Sequence, residues 1–259
     1  MKTSVVVAHY AATGELRPDS RAVIAELRRR DVTVVLCSTR LSAAAAATVP
    51  HDVHVITRDN YGYDFYSYRV GIEHLIGQSG GESVGRLVMF NSSFYVVDID
   101  RFIEHVLMEQ ASDIYGITES LELGIHLQSY FVSFKKAVVK SDSFKAWWEQ
   151  VEPIDDRQTV ISKYEIGMSR WFIERGFSLQ AAVGRPCFRS SLVAKWRALR
   201  SGHAIRRPSV IFNARRLNPT IFFWEDVLTA AGIVKVEALE RSPYGVKIPR
   251  SVLGAGWRS

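Results

Sequence analysis

Residues 58–69 hold the side chains of this chain with the clearest chemical potential. They read Arg-Asp-Asn-Tyr-Gly-Tyr-Asp-Phe-Tyr-Ser-Tyr-Arg, follow the apolar run 53–56 and precede residues with helical spacing. Aromatic rings interleaved with charges suit a polar, aromatic-walled pocket better than a dry core, because a charge buried without a partner costs on the order of several kcal/mol. The alternative is a solvated loop in which Asp64 caps the following helix.

Length and composition indicate an ordinary globular protein. The 259 residues suffice for one large α/β domain or two small ones, and 47% of them are hydrophobic. No apolar run approaches the roughly 18 residues of a membrane-spanning helix, and the N-terminus enters the strand-like residues 5–7 without a basic leader. We therefore expect a cytoplasmic protein. Cys37 and Cys187 lack metal-ligand spacing and are expected to be free thiols.

The net charge of +6 is concentrated in residues 185–207, which contain no acidic residue. Such a segment attracts phosphate in nucleic acid, in a nucleotide diphosphate or on an anionic membrane, although a solvated helix face has the same composition. Residues 191–200 place Leu192, Trp196 and Leu199 on one side, a pattern that suits a membrane surface or packing on the protein itself. Few aromatic residues are interleaved with the arginines, so we expect no nucleic-acid partner.

Short apolar strands alternate with helical segments along the chain. Strands are predicted at 5–8, 32–37, 53–56, 86–90, 113–117, 127–134 and 177–183, and helices at 20–30, 41–47, 98–108, 141–151 and from Ser162 to Arg175. The alternation predicts an α/β fold, Rossmann-like, with a mostly parallel sheet flanked by helices. A boundary near Gly184 would divide the chain into a domain of residues 1–184 and a basic C-terminal extension, 185–259, that packs on it.

Short motifs occur along the chain in an order that matches one family. They are Val-Val-Val-Ala-His-Tyr at 5–10, Ser38-Thr39 with Leu41-Ser42, residues 58–69, His-Leu-Gln-Ser-Tyr-Phe at 126–131, Tyr164-Glu165 with Gly167, Asn218-Pro219-Thr220, and Lys235-Val236-Glu237 with Ser242-Pro243. Together they resemble the rhamnan synthesis protein F family of bacterial polysaccharide biosynthesis and, more distantly, GT-A glycosyltransferases. The resemblance implies transfer of a sugar, typically rhamnose, from a nucleotide-activated donor to a surface glycan such as O-antigen or rhamnan.

The resemblance also implies a donor site at the carboxyl ends of the first strands. Tyr61, Tyr63 or Tyr68 could stack on a base or sugar ring, Arg69 could bind a pair of diphosphate oxygens, and Gly62 would let the backbone approach the ligand. A tyrosine cluster at helical spacing is more often part of a protein core, and the resemblance is what favours a binding site here. The implied donor is a dTDP- or GDP-deoxyhexose. The remaining donor-binding candidates are His9, Tyr10, Thr39, Arg58, Asn60, Asn91 and Ser93.

The end of the fourth strand departs from the pattern that the resemblance implies. The family carries Asn-Asp-Ser there, with an acid that holds a divalent cation on the donor diphosphate, whereas this chain has Asn91-Ser92-Ser93. A serine hydroxyl is a weak ligand for Mg²⁺ or Mn²⁺, so use of a divalent cation is doubtful and no metal ligand is assigned. Asp98 and Asp100 precede a helical pattern, which favours capping. Arg69 and the basic segment could supply positive charge instead.

The catalytic base implied by the resemblance is Glu165, at the start of a helix. An inverting transfer needs a carboxylate to take the proton of the acceptor hydroxyl. The alternative is a capping box, in which Glu165 satisfies the Ser162 amide. Asp64 and Glu119 are the competing carboxylates, Asp64 as a catalytic group and Glu119 toward the acceptor. His126 and Gln128 share one face of a strand and would point to the acceptor, His126 with a catalytic role.

The sequence therefore predicts a GT-A-like glycosyltransferase that is cytoplasmic, or peripheral on the inner face of the cytoplasmic membrane beside a lipid-linked glycan acceptor. Residues 1–184 would bind the nucleotide-sugar and carry the catalytic groups. The rival is a catalytically inactive nucleotide-sugar-binding or scaffold subunit of the assembly machinery, suggested by Ser92. Trp147 and Trp148 are expected mainly in the core.

Overall fold

Strands and helices alternate through the residues that the structure, a computed structural model, describes: 2–79, 84–184, 218–241 and 246–254. The strands are β1 (Thr3–His9), β2 (Thr33–Ser38), β3 (His54–Thr57), β4 (Arg86–Asn91), β5 (Phe94–Val96), β6 (Ile114–Ser120), β7 (His126–Leu127), β8 (Phe131–Lys135), β9 (Leu179–Val183) and β10 (Ile233–Lys235). The longer helices are α1 (Pro18–Arg29), α3 (Tyr63–Ser79), α4 (Ile99–Leu107), α6 (Asp142–Glu149), α8 (Gly167–Glu174) and α10 (Trp224–Ala231).

Shorter helices complete the described chain. They are α2 (Ala43–Ala47), α5 (Lys136–Val139), α7 (Arg157–Val160), α9 (Pro219–Phe222) and α11 (Val236–Glu240), with a 3₁₀ turn at Arg250–Leu253. A π-helical turn, Ile161–Ile166, joins α7 to α8. None of the helices in the part of the chain that the structure describes is both long and apolar enough to cross a membrane.

The main sheet has the order β3-β2-β1-β4-β8-β6-β7, with β9 paired to β6. Strands β1 to β4 are mutually parallel, β8 is antiparallel to both β4 and β6, and β9 is parallel to β6. Side chains alternate across the sheet. Val5 and Val7 pack in one buried cluster with α1 and α4, and Val6 packs in another with α3, α6 and α8. The predicted mostly parallel α/β fold, with helices on both faces, is confirmed.

The single strand predicted at 127–134 is wrong, because β7 and β8 are separate strands. The backbone between them forms hydrogen bonds to two different strands. The Gln128 N–H donates to the Thr118 carbonyl of β6 at 3.0 Å, and the Tyr130 carbonyl accepts from the Asn91 N–H of β4 at 3.1 Å. The chain thus leaves the edge of β6 and crosses to β4 within three residues, 128–130. This crossing places Ser129 next to Tyr130, whose carbonyl is bonded to the last residue of β4.

A second, two-stranded sheet was absent from the sequence prediction. Strand β10 pairs antiparallel with β5, with Lys235 opposite Phe94. Gly232 has a φ of +67°, and its carbonyl accepts from the Val97 and Asp98 N–H groups at 2.8 and 3.0 Å. A buried cluster formed by Ile221, Phe222, Phe223 and Val234, with Val97 and Val183 packed against it, joins this part of the chain to the rest.

Several local predictions are confirmed. The Asp98 carboxylate accepts from the Arg101 N–H at 3.0 Å and so caps α4. Trp147 and Trp148 are buried in the core, and Cys37 is a buried free thiol. Cys187 and the basic residues 185–207 lie outside the described residues, and the division of the chain at Gly184 stays a prediction.

Candidate functional site

Polar side chains converge at the carboxyl edge of the parallel strands, where open α/β sheets bind ligands. Asp64 lies in the first turn of α3, and Asn91 is the last residue of β4. The Asn91 side-chain amide donates to Asp64 Oδ2 at 2.6 Å. The helix following β3 and the tip of β4 therefore meet at one point, as the sequence pattern indicated.

A continuous chain of hydrogen bonds leads from this point to β10. Lys235 Nζ donates to Ser93 Oγ at 2.6 Å, and the Ser93 hydroxyl donates to Asn91 Oδ1 at 2.5 Å. Asn91 then donates to Asp64. Every donor points the same way, from an ammonium group through two neutral side chains to a carboxylate. We call these four residues the Lys235–Asp64 chain.

Glu165 lies in the π-helical turn, a feature that often occurs at functional sites. Ser129 Oγ donates to Glu165 Oε2 at 2.5 Å, and His126 Nε2 lies 3.3 Å from Oε1. The capping-box alternative is wrong, because the Ser162 hydroxyl donates to the Thr159 carbonyl at 3.2 Å within the same helical turn. Asp156, not Ser162, is the cap of this helical region.

Both ring nitrogens of His126 face acceptors. Nδ1 lies 2.9 Å from the Gly124 carbonyl, and Nε2 faces Glu165. Two acceptors favour the imidazolium, which carries an N–H on each nitrogen. Burial lowers the pKa of His126, but the hydrogen bond and charge of Glu165 outweigh it and raise the pKa above its usual value. Burial likewise raises the pKa of Glu165, and the bonds from His126 and Ser129 bring it below its usual value.

The charges of Lys235 and Asp64 are coupled to Glu165. Burial lowers the pKa of Lys235 to about 8, against the opposing charges of Glu165 and Asp64. Burial raises the pKa of Asp64, an effect that Lys235 and the Asn91 amide oppose. The positive charges of His126 and Lys235 thus favour the ionised form of Glu165, and its charge favours the protonated forms of both.

The structure corrects several of the donor-site predictions. Tyr68 is fully buried and cannot stack on a ligand; its hydroxyl donates to the Ser129 carbonyl at 3.0 Å. Arg69 donates to Glu73 at 2.7 Å and to the Val151 carbonyl at 2.6 Å, away from the Lys235–Asp64 chain.

Two further residues that were predicted to bind substrate form hydrogen bonds within the protein instead. His9 is buried, with its ring nitrogens 2.9 Å from Ser38 Oγ and 3.2 Å from the Glu15 carbonyl. Gln128 is buried, and its carbonyl oxygen accepts from the Thr118 and Thr220 hydroxyls. His9 thus ties β1 to β2, and Gln128 ties β6 to α9.

The loop before α3 is fixed by contacts within the protein. The Arg58 guanidinium donates to Ser67 Oγ at 2.7 Å and to the Tyr63 carbonyl at 2.8 Å. Gly62, with a φ of +72°, donates its N–H to Asp155 at 3.1 Å, and a Cβ there would lie 2.9 Å from Pro153 Cα. The close approach that requires this glycine is therefore to Tyr66 and Pro153 within the protein, not to the predicted ligand.

The roles of the remaining predicted site residues stay predictions. Tyr10 and Tyr63 are 50% and 45% exposed, and Asn60 is exposed. The Thr39 hydroxyl is buried without a hydrogen-bond partner in the described part of the chain. Glu119 is half-buried on β6, where its backbone pairs with Leu127.

Sequence reasoning missed Lys235 and Ser129 as site residues. Both fall inside motifs that carried the family resemblance, 235–237 and 126–131, so membership of those motifs could have marked them as candidates. Nothing in their local spacing distinguishes them, because Lys235 reaches the site only through the pairing of β10 with β5.

The fold and site define an α/β protein with a polar cluster at the carboxyl edge of its sheet. The chain belongs to the family described as Rhamnan synthesis protein F, which matches residues 33–215. It is 29% identical over 231 residues to virulence protein VirA of Vibrio anguillarum, covering 85% of this chain and 73% of that protein. It is also 32% identical over 131 residues to the uncharacterized protein y4gN of Sinorhizobium fredii, covering 49% of this chain and 34% of that protein.

Similarity to solved structures is weaker. A glycosyltransferase involved in glycosylation of the major capsid of PBCV-1 aligns with 95% of this chain and 97% of its own, at 9% identity and a TM-score of 0.46.

Proposed function

We propose that this chain transfers a sugar, rhamnose or a related deoxyhexose, from a dTDP- or GDP-activated donor to a growing surface polysaccharide. One observation supports the proposal most: Glu165, held by His126 and Ser129, lies in the same charge-coupled cluster as Asp64 and Asn91 at the ligand-binding edge of the sheet. Membership of the Rhamnan synthesis protein F family supports the substrate class. The GT-A resemblance of the sequence motifs supports the reaction type.

Glu165 is the general base of an inverting transfer. Its side chain is 18% exposed, so an acceptor hydroxyl can reach it. The acceptor oxygen attacks the anomeric carbon, its proton passes to the Glu165 carboxylate, and the bond from the anomeric carbon to the diphosphate oxygen breaks with its electron pair on that oxygen. The lowered pKa of Glu165 keeps the carboxylate ionised and ready to accept that proton at neutral pH.

His126 acts as a positioning residue. Its side chain is only 4% exposed, and both ring nitrogens are engaged, so it does not touch the acceptor. Together with Ser129 it fixes the orientation of Glu165 before substrate arrives, which avoids reorganisation during the reaction.

Asp64 and Asn91 form the donor side. Within the described residues, the hydrogen bond that Asp64 makes is at Oδ2, so Oδ1 can accept from a sugar hydroxyl. The acceptor would be a lipid-linked glycan at the inner face of the membrane, an assignment supported by the basic residues 185–207.

The test is a transfer assay with dTDP-, GDP- and UDP-sugars and a lipid-linked acceptor. Glu165→Gln should remain folded by circular dichroism and retain donor binding, with a lowered free energy of unfolding because it breaks the pair with His126, but should lose transfer by about a hundredfold or more. Glu174→Gln, which removes an exposed carboxylate paired with Arg170 on the adjacent helix α8, is the matched control and should transfer normally. Unchanged transfer by Glu165→Gln would overturn the base role. Donor binding without transfer by the native protein would instead identify the catalytically inactive subunit.

A further inference from the structure

The tip of β4 has a donor set that does not fit a divalent cation. Asn91 Oδ1 accepts from both the Ser93 N–H, at 3.1 Å, and the Ser93 hydroxyl. The Ser92 hydroxyl, which stands where the family pattern has an acid, exchanges two 3.1 Å hydrogen bonds with the Tyr10 backbone. Mg²⁺ and Mn²⁺ need several free oxygen ligands, whereas Asn91 Oδ1 and Ser92 Oγ are already engaged in hydrogen bonds within the protein.

A cationic side chain stands at the same place. Lys235 Nζ donates to Ser93 Oγ and lies 4.4 Å from the centre of the Tyr130 ring. A divalent cation beside Asn91 would meet the repulsion of this ammonium group, whereas an anion would be attracted to it. Among the described residues, Asp64 is the carboxylate bonded at this tip. One carboxylate with an ammonium group beside it is a poor site for a divalent cation, whereas the ammonium itself can bind an anion.

The backbone fixes the position of Lys235. Strand β10 pairs with β5, and the residue after Lys235, Val236, donates its N–H to the Ser93 carbonyl at 3.0 Å. Gly232, before the strand, is bonded to Val97 and Asp98. Lys235 is held from both sides by main-chain contacts, so its ammonium is a preorganised charge rather than a mobile surface lysine.

We infer that Lys235 binds the diphosphate of the nucleotide donor in place of a divalent cation, so that this chain recognises its donor without metal. This role presupposes the sugar transfer proposed above. An ammonium has three N–H donors, and Ser93 accepts one of them, which leaves N–H groups for phosphate oxygens. When the bond to the anomeric carbon breaks, charge develops on the diphosphate, and the fixed ammonium stabilises it while keeping its own protons.

The competing role for Lys235 is neutralisation of Asp64 and Glu165 alone. That role predicts a loss of folding stability on substitution but no effect on anion binding. Binding of a diphosphate by the folded protein separates the two roles, because it needs no acceptor and no turnover.

The experiment measures binding of dTDP, GDP and UDP by calorimetry on protein treated with EDTA. Native protein should bind at least one of them, with an affinity that added Mg²⁺ or Mn²⁺ changes by less than about threefold. Lys235→Met and Lys235→Gln should each weaken binding by at least about tenfold, and Lys235→Arg should stay within about threefold of native because it keeps the charge. Lys145→Met, which removes an exposed lysine on α6 and so makes the same change in net charge, should bind as native protein does.

Circular dichroism of each variant checks that it is folded. The metal dependence of binding is measured on native protein, so that part of the test does not depend on the folding of any variant. Binding that requires Mg²⁺ or Mn²⁺, equal binding by Lys235→Met, or no binding of any of the three diphosphates would overturn the role of Lys235. Diphosphate binding that depends on Lys235, with no sugar transferred from any donor, would leave this role standing and remove the transferase proposal. Undiminished sugar transfer by Lys235→Met would remove the role of Lys235 and leave the transferase proposal standing.

Discussion

The Ser129 hydroxyl donates a 2.5 Å hydrogen bond to Glu165, across 36 positions of sequence. The carbonyl of the same serine accepts from the buried Tyr68 hydroxyl on α3. Ser129 thus links the π-helical turn that carries Glu165 to the helix that carries Asp64. This residue is therefore one of the contacts that position the two carboxylates of the site relative to each other, beside the packing of Phe65 on Tyr164.

Ser129→Ala should move the acidic limb of the pH profile of kcat/KM to higher pH. The Ser129 hydrogen bond favours the ionised form of Glu165 and lowers its pKa, so removing it raises that pKa. The measurement is transfer rate against pH from about 4 to about 8. Ser162→Ala, in the same π-helical turn, is the control and should leave the limb in place. A shift in the control and none in Ser129→Ala would restore the capping role of Glu165.

His126→Gln should lower the free energy of unfolding by about 3 kcal/mol at pH 6, because it breaks a buried charged pair. The pKa of folded His126 is raised above its unfolded value of 6.5. The stability from its proton is therefore fully present below about pH 6.5 and is lost as the pH rises through the folded pKa. Glu165, with a lowered pKa, adds stability that is present above its unfolded value of 4.5 and lost as the pH falls through the folded value.

Urea denaturation of native and variant protein at several pH values measures this difference. It should be largest between about pH 4.5 and about pH 6.5 and shrink toward about pH 9. His51→Gln, at an exposed position, should show no such dependence. A stability difference of constant size over the whole range would mean that His126 acts through packing alone.

Diphosphate affinity should fall as the pH rises through about 8, the pKa to which burial lowers Lys235. The charged groups around Lys235 are Asp64, Glu165, Glu237 and Arg157. Below that pH the ammonium is present and attracts the anion, and above it the neutral amine does not. The diphosphate is fully ionised above about pH 7, so its own titration does not cause the fall.

Calorimetry with dTDP, GDP or UDP from about pH 6 to about pH 10 measures this loss. Lys235→Arg should hold its affinity to the upper end of the range, because a guanidinium does not lose its proton there. The same decline in both proteins would show that another group titrates.

Gly232→Ala should destabilise the protein by about 3 kcal/mol and weaken diphosphate binding. Gly232 has a φ of +67°, and an added Cβ would lie 2.5 Å from the Asp98 carbonyl oxygen, a main-chain atom that cannot move freely. The strain distorts the turn that leads into β10, and this distortion displaces Lys235. Gly77→Ala is the matched control: no atom lies within 4 Å of its added Cβ on α3, and alanine should stabilise that helix by up to about 1 kcal/mol. Thermal and urea unfolding of the two variants, with binding measured alongside, checks both parts.

Much of the fold could be predicted from the sequence because its signals are local. Buried β-branched runs such as residues 5–7 specify strands, and Asp98 specifies the start of α4. The placement of Asp64 and Asn91 at one edge of the sheet also followed from local information, because parallel strands place their carboxyl ends there. Their contact did not, because β2 and β1 lie between β3 and β4, and the packing of α3 on the sheet is what brings Asp64 to Asn91.

The partners of individual side chains were decided by tertiary structure. Tyr68, Arg69, His9 and Gln128 are residue types that suit a binding site, yet each is bonded within the protein. Residue type states what a group can bind, and only the packing around it determines which partner is within reach.

By itself the sequence determined the α/β layering, the family and the edge of the sheet at which chemistry would lie, since these depend on periodicity and on short motifs. Only the tertiary structure decided that Lys235 completes the site, and that Glu165 is held by Ser129 and His126 instead of capping a helix. Those contacts join residues far apart in the chain, and their energy depends on distances of a few ångströms that no local pattern encodes.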